Sequence, residues 1–222
     1  LHLGLVVPIT ALASWLTLGD YDPSPARPVE EGAVPEAHVV APTLAILVLV
    51  AVTIPAMLLE GASMDWSAIY MRDTFAVDKF WQGIAVSFFA VAQGGMRFFA
   101  DLVVERYSPA TLARALFTAL LVGCAMVVGS PLPMVSLIGF ALMGFGTSAI
   151  FPLAMSAAAR RTDRAAALNI AALAQFSFLM FLLGPPLLGF VASHFGIRTA
   201  YGISLPFIGL SLALAGALGR KA

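Results

Sequence analysis

Charge is what this sequence has least of. Its 222 residues carry twelve Lys and Arg against twelve Asp and Glu, 11% in all, where a soluble domain carries about 25%. No charged residue occurs in 1–19, 37–59, 80–96, 115–159, 165–197 or 199–219. That distribution excludes a soluble globular enzyme. A net charge of zero with no basic patch excludes a nucleic-acid binder. A chain that is 60% hydrophobic is not disordered. Cysteine is almost absent as well. Cys124 stands alone in an apolar run, so no intrachain disulfide forms. No metal-ligand spacing appears, and no cofactor is expected. The chain opens on Leu1 without the charged n-region and cleavage site of a signal peptide, and reads as cut from something longer.

What the sequence does have is long apolar runs. A helix needs roughly 20 apolar residues to cross about 30 Å of hydrocarbon, so the lipid bilayer is the first partner implied. Charge, Gly and Pro punctuate the runs into spans at 42–70, 80–99, 110–129, 134–156, 167–192 and 197–219, after a partial span at 3–18. The Gly129-Ser130-Pro131-Leu132-Pro133 turn divides 115–159, which is too long for one crossing. Strands fit poorly, because a transmembrane barrel alternates apolar and polar residues. The segment 19–41 holds five acids and four prolines and reads as a solvated linker. Alternate loops then divide the basic residues unequally. One set holds Arg97, Arg106, Arg114, Arg160, Arg161, Arg164, Arg220 and Lys221; the other holds Arg72, Lys79 and Arg198. The richer side is expected to be cytoplasmic, together with the linker and the C-terminus.

Polar residues inside spans are costly in lipid, so each one is informative. Spans 110–129 and 197–219 are nearly blank and read as lipid-facing. Span 42–70 is the most unusual. At 100° per residue, Thr53, Glu60, Ser63 and Ser67 fall within about 80° of one another. Glu60 admits two readings: a proton-coupling or substrate-contacting carboxylate, or a structural acid bonded to a neighbouring helix. Asp65 lies about 140° from Glu60 and, with Trp66, reads as an outer-boundary residue within reach of Arg72. Pro55 and Gly61 offer a kink or hinge. On span 80–99, Gln93 is a ligand contact or a bond to a neighbouring helix. Asn169 and Gln175, about 120° apart on span 167–192, carry the same two readings, weighted to helix–helix contact. Gly139, Gly144 and Gly146 read as a packing face, with Pro152 bending the end of their span. The Gly184-Pro185-Pro186 sequence reads as a break.

Membrane enzymes need clustered nucleophile–base pairs or metal ligands. Here His2, His38 and His194 sit at span ends or in loops, and the carboxylates are isolated. A membrane enzyme is therefore the lesser alternative, and a non-transporting scaffold or sensor is a third.

Three motifs carry a family resemblance. The run Arg97-Phe-Phe-Ala-Asp101-Leu-Val-Val-Glu105-Arg106 resembles the Gly-x-x-x-Asp-Arg loop signature of the major facilitator superfamily in its second-half copy. Met96 stands where relatives often have Gly, and Leu102 where Arg follows the Asp. The run from Gly184 to Arg198 resembles the end of the eleventh span and its loop. Glu60-Gly-Ala-Ser-Met-Asp65-Trp66-Ser67 resembles a stretch in the seventh span of fucose-permease-like and related uncharacterised bacterial permeases. The loops at 97–107 and 189–201 also form a weak internal repeat.

The resemblance implies an all-α integral membrane fold. It would be a six-helix half-bundle at 42–222 (spans seven to twelve), after the end of span six at 1–18 and the inter-half linker at 19–41. It implies a secondary active transporter in a bacterial inner membrane, moving a small solute by alternating access, with protons as the expected coupling ion. The partner would be the N-terminal half of the same protein. Spans 42–70 and 134–156 would line the cavity, 80–99 and 167–192 would flank it, and 110–129 and 197–219 would face lipid. The signature Asp101 would cap a helix start in the opposite half, with Arg97, Glu105 and Arg106 around it.

Overall fold

The computed structural model describes residues 39–219. The partial span 1–18, nearly all of the linker, His2, His38, Arg220, Lys221 and the Asp101 side chain lie outside the described residues. All regular structure among the described residues is helical. The elements are α1 (Leu44–Phe75), α2 (Lys79–Phe98), α3 (Ala100–Arg106), α4 (Pro109–Gly129), α5 (Pro133–Thr147), α6 (Ile150–Ala159), α7 (Ala166–Phe195), α8 (Ile197–Gly202) and α9 (Ser204–Leu214), closed by a 3-10 turn at Ala215–Gly219.

Their starts follow from local chemistry. Thr43, Asp78 and Ser108 cap α1, α2 and α4 by accepting from backbone N–H groups. Pro109 and Pro133 take first-turn positions, where no N–H is needed. Five stretches are long and apolar enough to cross a membrane: Leu44–Phe75, Pro109–Gly129, Pro133–Ala159, Ala166–Phe195 and Ile197–Gly219. The expected sixth, α2, is helical over 20 residues. Lys79, Gln82, Gln93 and Arg97 make it less apolar than the others. It is held between α1 and α5 within an all-α membrane bundle.

Proline decides where the long spans interrupt. A proline at position i removes the N–H that would serve the carbonyl at i−4. Pro152 leaves Ser148, and the chain breaks there into α5 and α6. Thr147 and Ser148 add to the break by donating their hydroxyls back to Gly144 O and Phe145 O. The interruption therefore falls one turn before Pro152 and not at the end of the span. Pro206 leaves Gly202, where α8 ends. Pro55 leaves Ala51 O, which takes the Ser211 hydroxyl of α9 at 3.4 Å instead. The Gly184-Pro185-Pro186 sequence does not break α7, which runs helical through it.

The glycine face is a packing face on two sides. A Cβ on Gly139 would lie 2.8 Å from Gly123 O, and one on Gly146 would lie 2.7 Å from Leu116 O. Both seat α5 on α4. Gly144 faces the other way, onto Phe89 of α2. Tyr70, Phe140 and Tyr201 pack edge to face at 5.5–5.7 Å, joining α1, α5 and α8. The nearly blank α4 buries one side in the bundle. The stripe Leu112, Leu116, Leu120, Cys124 and Val127 lies against α5 and its neighbours.

The basic residues fall at two ends. At one, Arg198 donates to Val128 O and Ser130 O and lies 5.5 Å from the Phe75 ring centroid. At the other, Arg160 donates to Leu218 O and Arg164 to Ala41 O. Arg97 belongs to neither end. It sits on the last turn of α2 and reaches into the bundle.

Candidate functional site

Glu60 lies halfway along α1, roughly 23 Å from either end at about 1.5 Å per residue. A tight turn at Ala76–Asp78 folds α2 back along α1, which brings Arg97 level with Glu60. Arg97 Nη2 donates to Glu60 Oε1 at 3.0 Å. Arg97 Nε donates to Ser148 O, also at 3.0 Å. This is the carbonyl that Pro152 leaves without its helical donor. One turn along α2, Gln93 is buried and donates Nε2 to Thr147 Oγ1 at 3.2 Å.

Glu60, Gln93, Arg97, Thr147 and Ser148 thus join α1, α2 and the α5–α6 break in one polar cluster. The Glu60 side chain is 20% exposed and that of Arg97 51%, so the pair borders open space. The ion pair joins α1 to α2, and the second bond of Arg97 carries the link on to the α5–α6 break.

The rest of the stripe on α1 is buried. Thr53 Oγ1 donates to Val50 O and shares a 2.9 Å hydrogen bond with Ser177 of α7. Ser63 and Ser67 are fully buried, and their hydroxyls have no partner among the described residues. Glu60 is the member of the stripe at its exposed edge. Asp65 is exposed, and Arg72 pairs with its neighbour Asp73 at 2.6 Å instead. Trp66 packs across Gly189, whose Cβ would lie 3.1 Å away. Glu105 and Arg106 are exposed on α3.

Asn169 and Gln175 sit in a second network at the far end of the bundle. Asp163, in the loop before α7, accepts from Asn169 Nδ2 at 3.0 Å and from Thr43 Oγ1 at 3.1 Å. Arg164 donates to Asn169 Oδ1 and to Ala41 O. Gln175 Oε1 accepts from Val40 N. These bonds fasten residues 40–43 to the α6–α7 loop. The Asn169 hydrogen bond, helped by Thr43 and Arg161, holds the Asp163 carboxyl below the usual carboxylate range despite some desolvation. The sign follows from that direction. A folded value below the unfolded one gives stability above the unfolded value that is lost as pH falls through the folded one. Thermal unfolding of the full-length protein against pH is expected to show an acid limb that Asp163→Ala flattens. The wild type and the variant should converge at the acid end.

Two signals for the central cluster were present in the residues. Pro152 marks the Ser148 carbonyl four positions back, and Glu60 and Arg97 lie at near-mirror positions about the α1–α2 turn. Thr147 and Ser148 carried no signal of their own.

The same residues that build the bundle match known proteins. Residues 44–221 match the model of the Major Facilitator Superfamily. An uncharacterized transporter, y4wD, of Sinorhizobium fredii is 36% identical over 160 residues, covering 72% of this chain and 41% of that protein. An uncharacterized MFS-type transporter of Yersinia pestis is 30% identical over 148 residues, covering 65% of this chain and 38% of that protein. The chain therefore spans about two fifths of the length of the curated relatives it matches. With the match running from the first helix of the bundle to its last turn, the chain is a multi-pass membrane protein that belongs to the major facilitator superfamily.

Proposed function

We propose that this chain is the C-terminal half of a secondary active transporter that moves a small solute by alternating access, with Glu60 carrying the coupled proton. The observation that carries this reading is the Glu60–Arg97 pair midway along α1, bonded to the α5–α6 break. Family membership supports transport over catalysis. In this reading 1–18 ends the sixth span, 19–41 is the inter-half linker, and 42–222 packs against the N-terminal half. The end rich in Arg160, Arg161 and Arg164 faces the cytoplasm of a bacterial inner membrane.

The physics of the cycle is simple. With Glu60 ionised, the pair ties α1 to α2, and Arg97 ties both to the break. With Glu60 protonated, the tie to α1 weakens while the tie to Ser148 O stays. The two charge states therefore favour different arrangements of the same three helices.

Met64 tests this. It lies one turn from Glu60, about 40° around α1, and is exposed. The native Cys124 is buried and presents no competing thiol. In the full-length protein with cysteines outside this segment replaced, Met64→Cys is expected to react with a membrane-impermeant thiol reagent in both right-side-out and inverted vesicles. Reaction from one side only, at every pH tried, would refute alternating access at this depth.

A further inference from the structure

We propose that the solute bound at this site is a monoanion, a carboxylate, which takes the place of Glu60 on Arg97. The inference rests on the reading of Glu60 as the proton carrier and adds the substrate class to it.

Charge balance at the pair selects the solute. Lys79 and Arg97 on α2, His194 on α7, and Arg198 and Tyr201 on α8 are the titratable side chains of the described elements packed against α1. Arg97 is the one that bonds Glu60. Lys79, His194 and Arg198 stand at the far ends of their helices, and the Tyr201 hydroxyl is spent on Ala62 O. On α1 itself, Asp65 lies on another face, and Arg72 and Asp73 pair with each other. α5, α6 and α9 carry no charged residue. Among the described residues that meet α1, the cluster is therefore one cation balanced by one anion.

A proton on Glu60 leaves the half-exposed Arg97 guanidinium with the neutral Ser148 carbonyl and without the counter-charge it has in the ion pair. A monoanion restores the balance. A neutral solute does not. A cation would meet Arg97 beside the carboxylate it needs. A dianion would leave an excess negative charge.

The geometry fits a planar carboxylate. Arg97 Nε stays occupied by Ser148 O, which fixes the plane of the guanidinium. Nη2 faces Glu60, and Nη1 has no partner among the described residues. When Glu60 is neutral, the Nη1 and Nη2 edge presents parallel N–H donors to two carboxylate oxygens. Proton and anion then cross together without net charge.

Acetate is the probe, because it is the bare functional group, and acetamide is its neutral control. Binding is measured by calorimetry on the full-length protein in detergent at about pH 5.5 and about pH 8. The wild type is expected to bind acetate at least about tenfold more tightly at the lower pH. Glu60→Gln should bind it equally at both, and Arg97→Gln should lose it. Acetamide should not bind. Acetate affinity that ignores Arg97→Gln, or no acetate binding to wild type at either pH, would overturn the proposal. If Glu60→Gln does not fold, the wild-type pH dependence and a weaker Arg97→Lys decide.

The two readings fail separately. Arg97-dependent acetate binding with acid-driven proton uptake that survives Glu60→Gln would keep the anion site and refute the proton carrier. Lost proton uptake with no acetate binding would do the reverse.

Discussion

Gly144→Ala is expected to prevent the bundle from assembling as described, the largest structural effect of any single methyl group here. A Cβ at Gly144 would sit 2.1 Å from Phe89 O, 2.9 Å from Phe89 C and 3.1 Å from Phe89 Cα. All three are backbone atoms, so no side-chain rotation relieves the clash. The whole of α2 has to move away from α5. Overpacking ordinarily costs about 1–3 kcal/mol, and a contact this short on a rigid helix belongs at the top of that range or above it. The displacement would also carry the site with it, because Gln93 follows Phe89 by one turn and Arg97 by two. Gly94, on the same helix, has nothing within 4 Å of a built Cβ. Gly94→Ala therefore gains helix propensity, about 0.5–1 kcal/mol, without a clash. Thermal unfolding and size-exclusion profiles of the two full-length variants check the pair. Gly144→Ala should be unfolded or aggregated, and Gly94→Ala at least as stable as wild type. A folded Gly144→Ala would contradict the α2–α5 contact.

Glu60→Gln is expected to have the largest functional effect, complete loss of coupled proton movement with the fold retained. Gln keeps the size of the side chain and an oxygen that accepts from Arg97 Nη2. It removes only the titratable charge. Glu60 bonds one partner, and Arg97 keeps its second bond to Ser148 O. The helices on either side are held by contacts that do not involve Glu60, including the edge-to-face packing of Tyr70, Phe140 and Tyr201. The variant therefore isolates proton exchange from architecture.

Most of the architecture was legible in the sequence, for a physical reason. Hydrocarbon forces every backbone group into internal hydrogen bonds, so apolar runs between charges become helices. The glycine face of α5 was legible because small residues let helices approach closely. What the residues do not show directly is which helices meet.

Glu60 and Arg97 stand apart in sequence and were assigned to different features, a polar stripe and a loop signature. They join because the turn at Ala76–Asp78 sets the register of α1 against α2. The break at Ser148 was displaced from Pro152 by the i−4 rule. Asn169 and Gln175 looked like bundle residues, and their partners Asp163, Arg164 and Val40 lie in loop and linker segments that periodicity does not describe. A buried serine such as Ser177 answers a partner on α1 and not water.

The most direct measurement is an acid pulse. Full-length wild type and Glu60→Gln are reconstituted into vesicles loaded with a pH-sensitive dye, gluconate, a carboxylate whose polyhydroxylated acid form crosses lipid poorly, is present on the outside, and the external pH is dropped. Wild type is predicted to acidify the lumen faster than protein-free vesicles, and Glu60→Gln to match the protein-free rate. Equal acidification by wild type and Glu60→Gln, both above the protein-free rate, would contradict the assignment of Glu60 as the proton carrier.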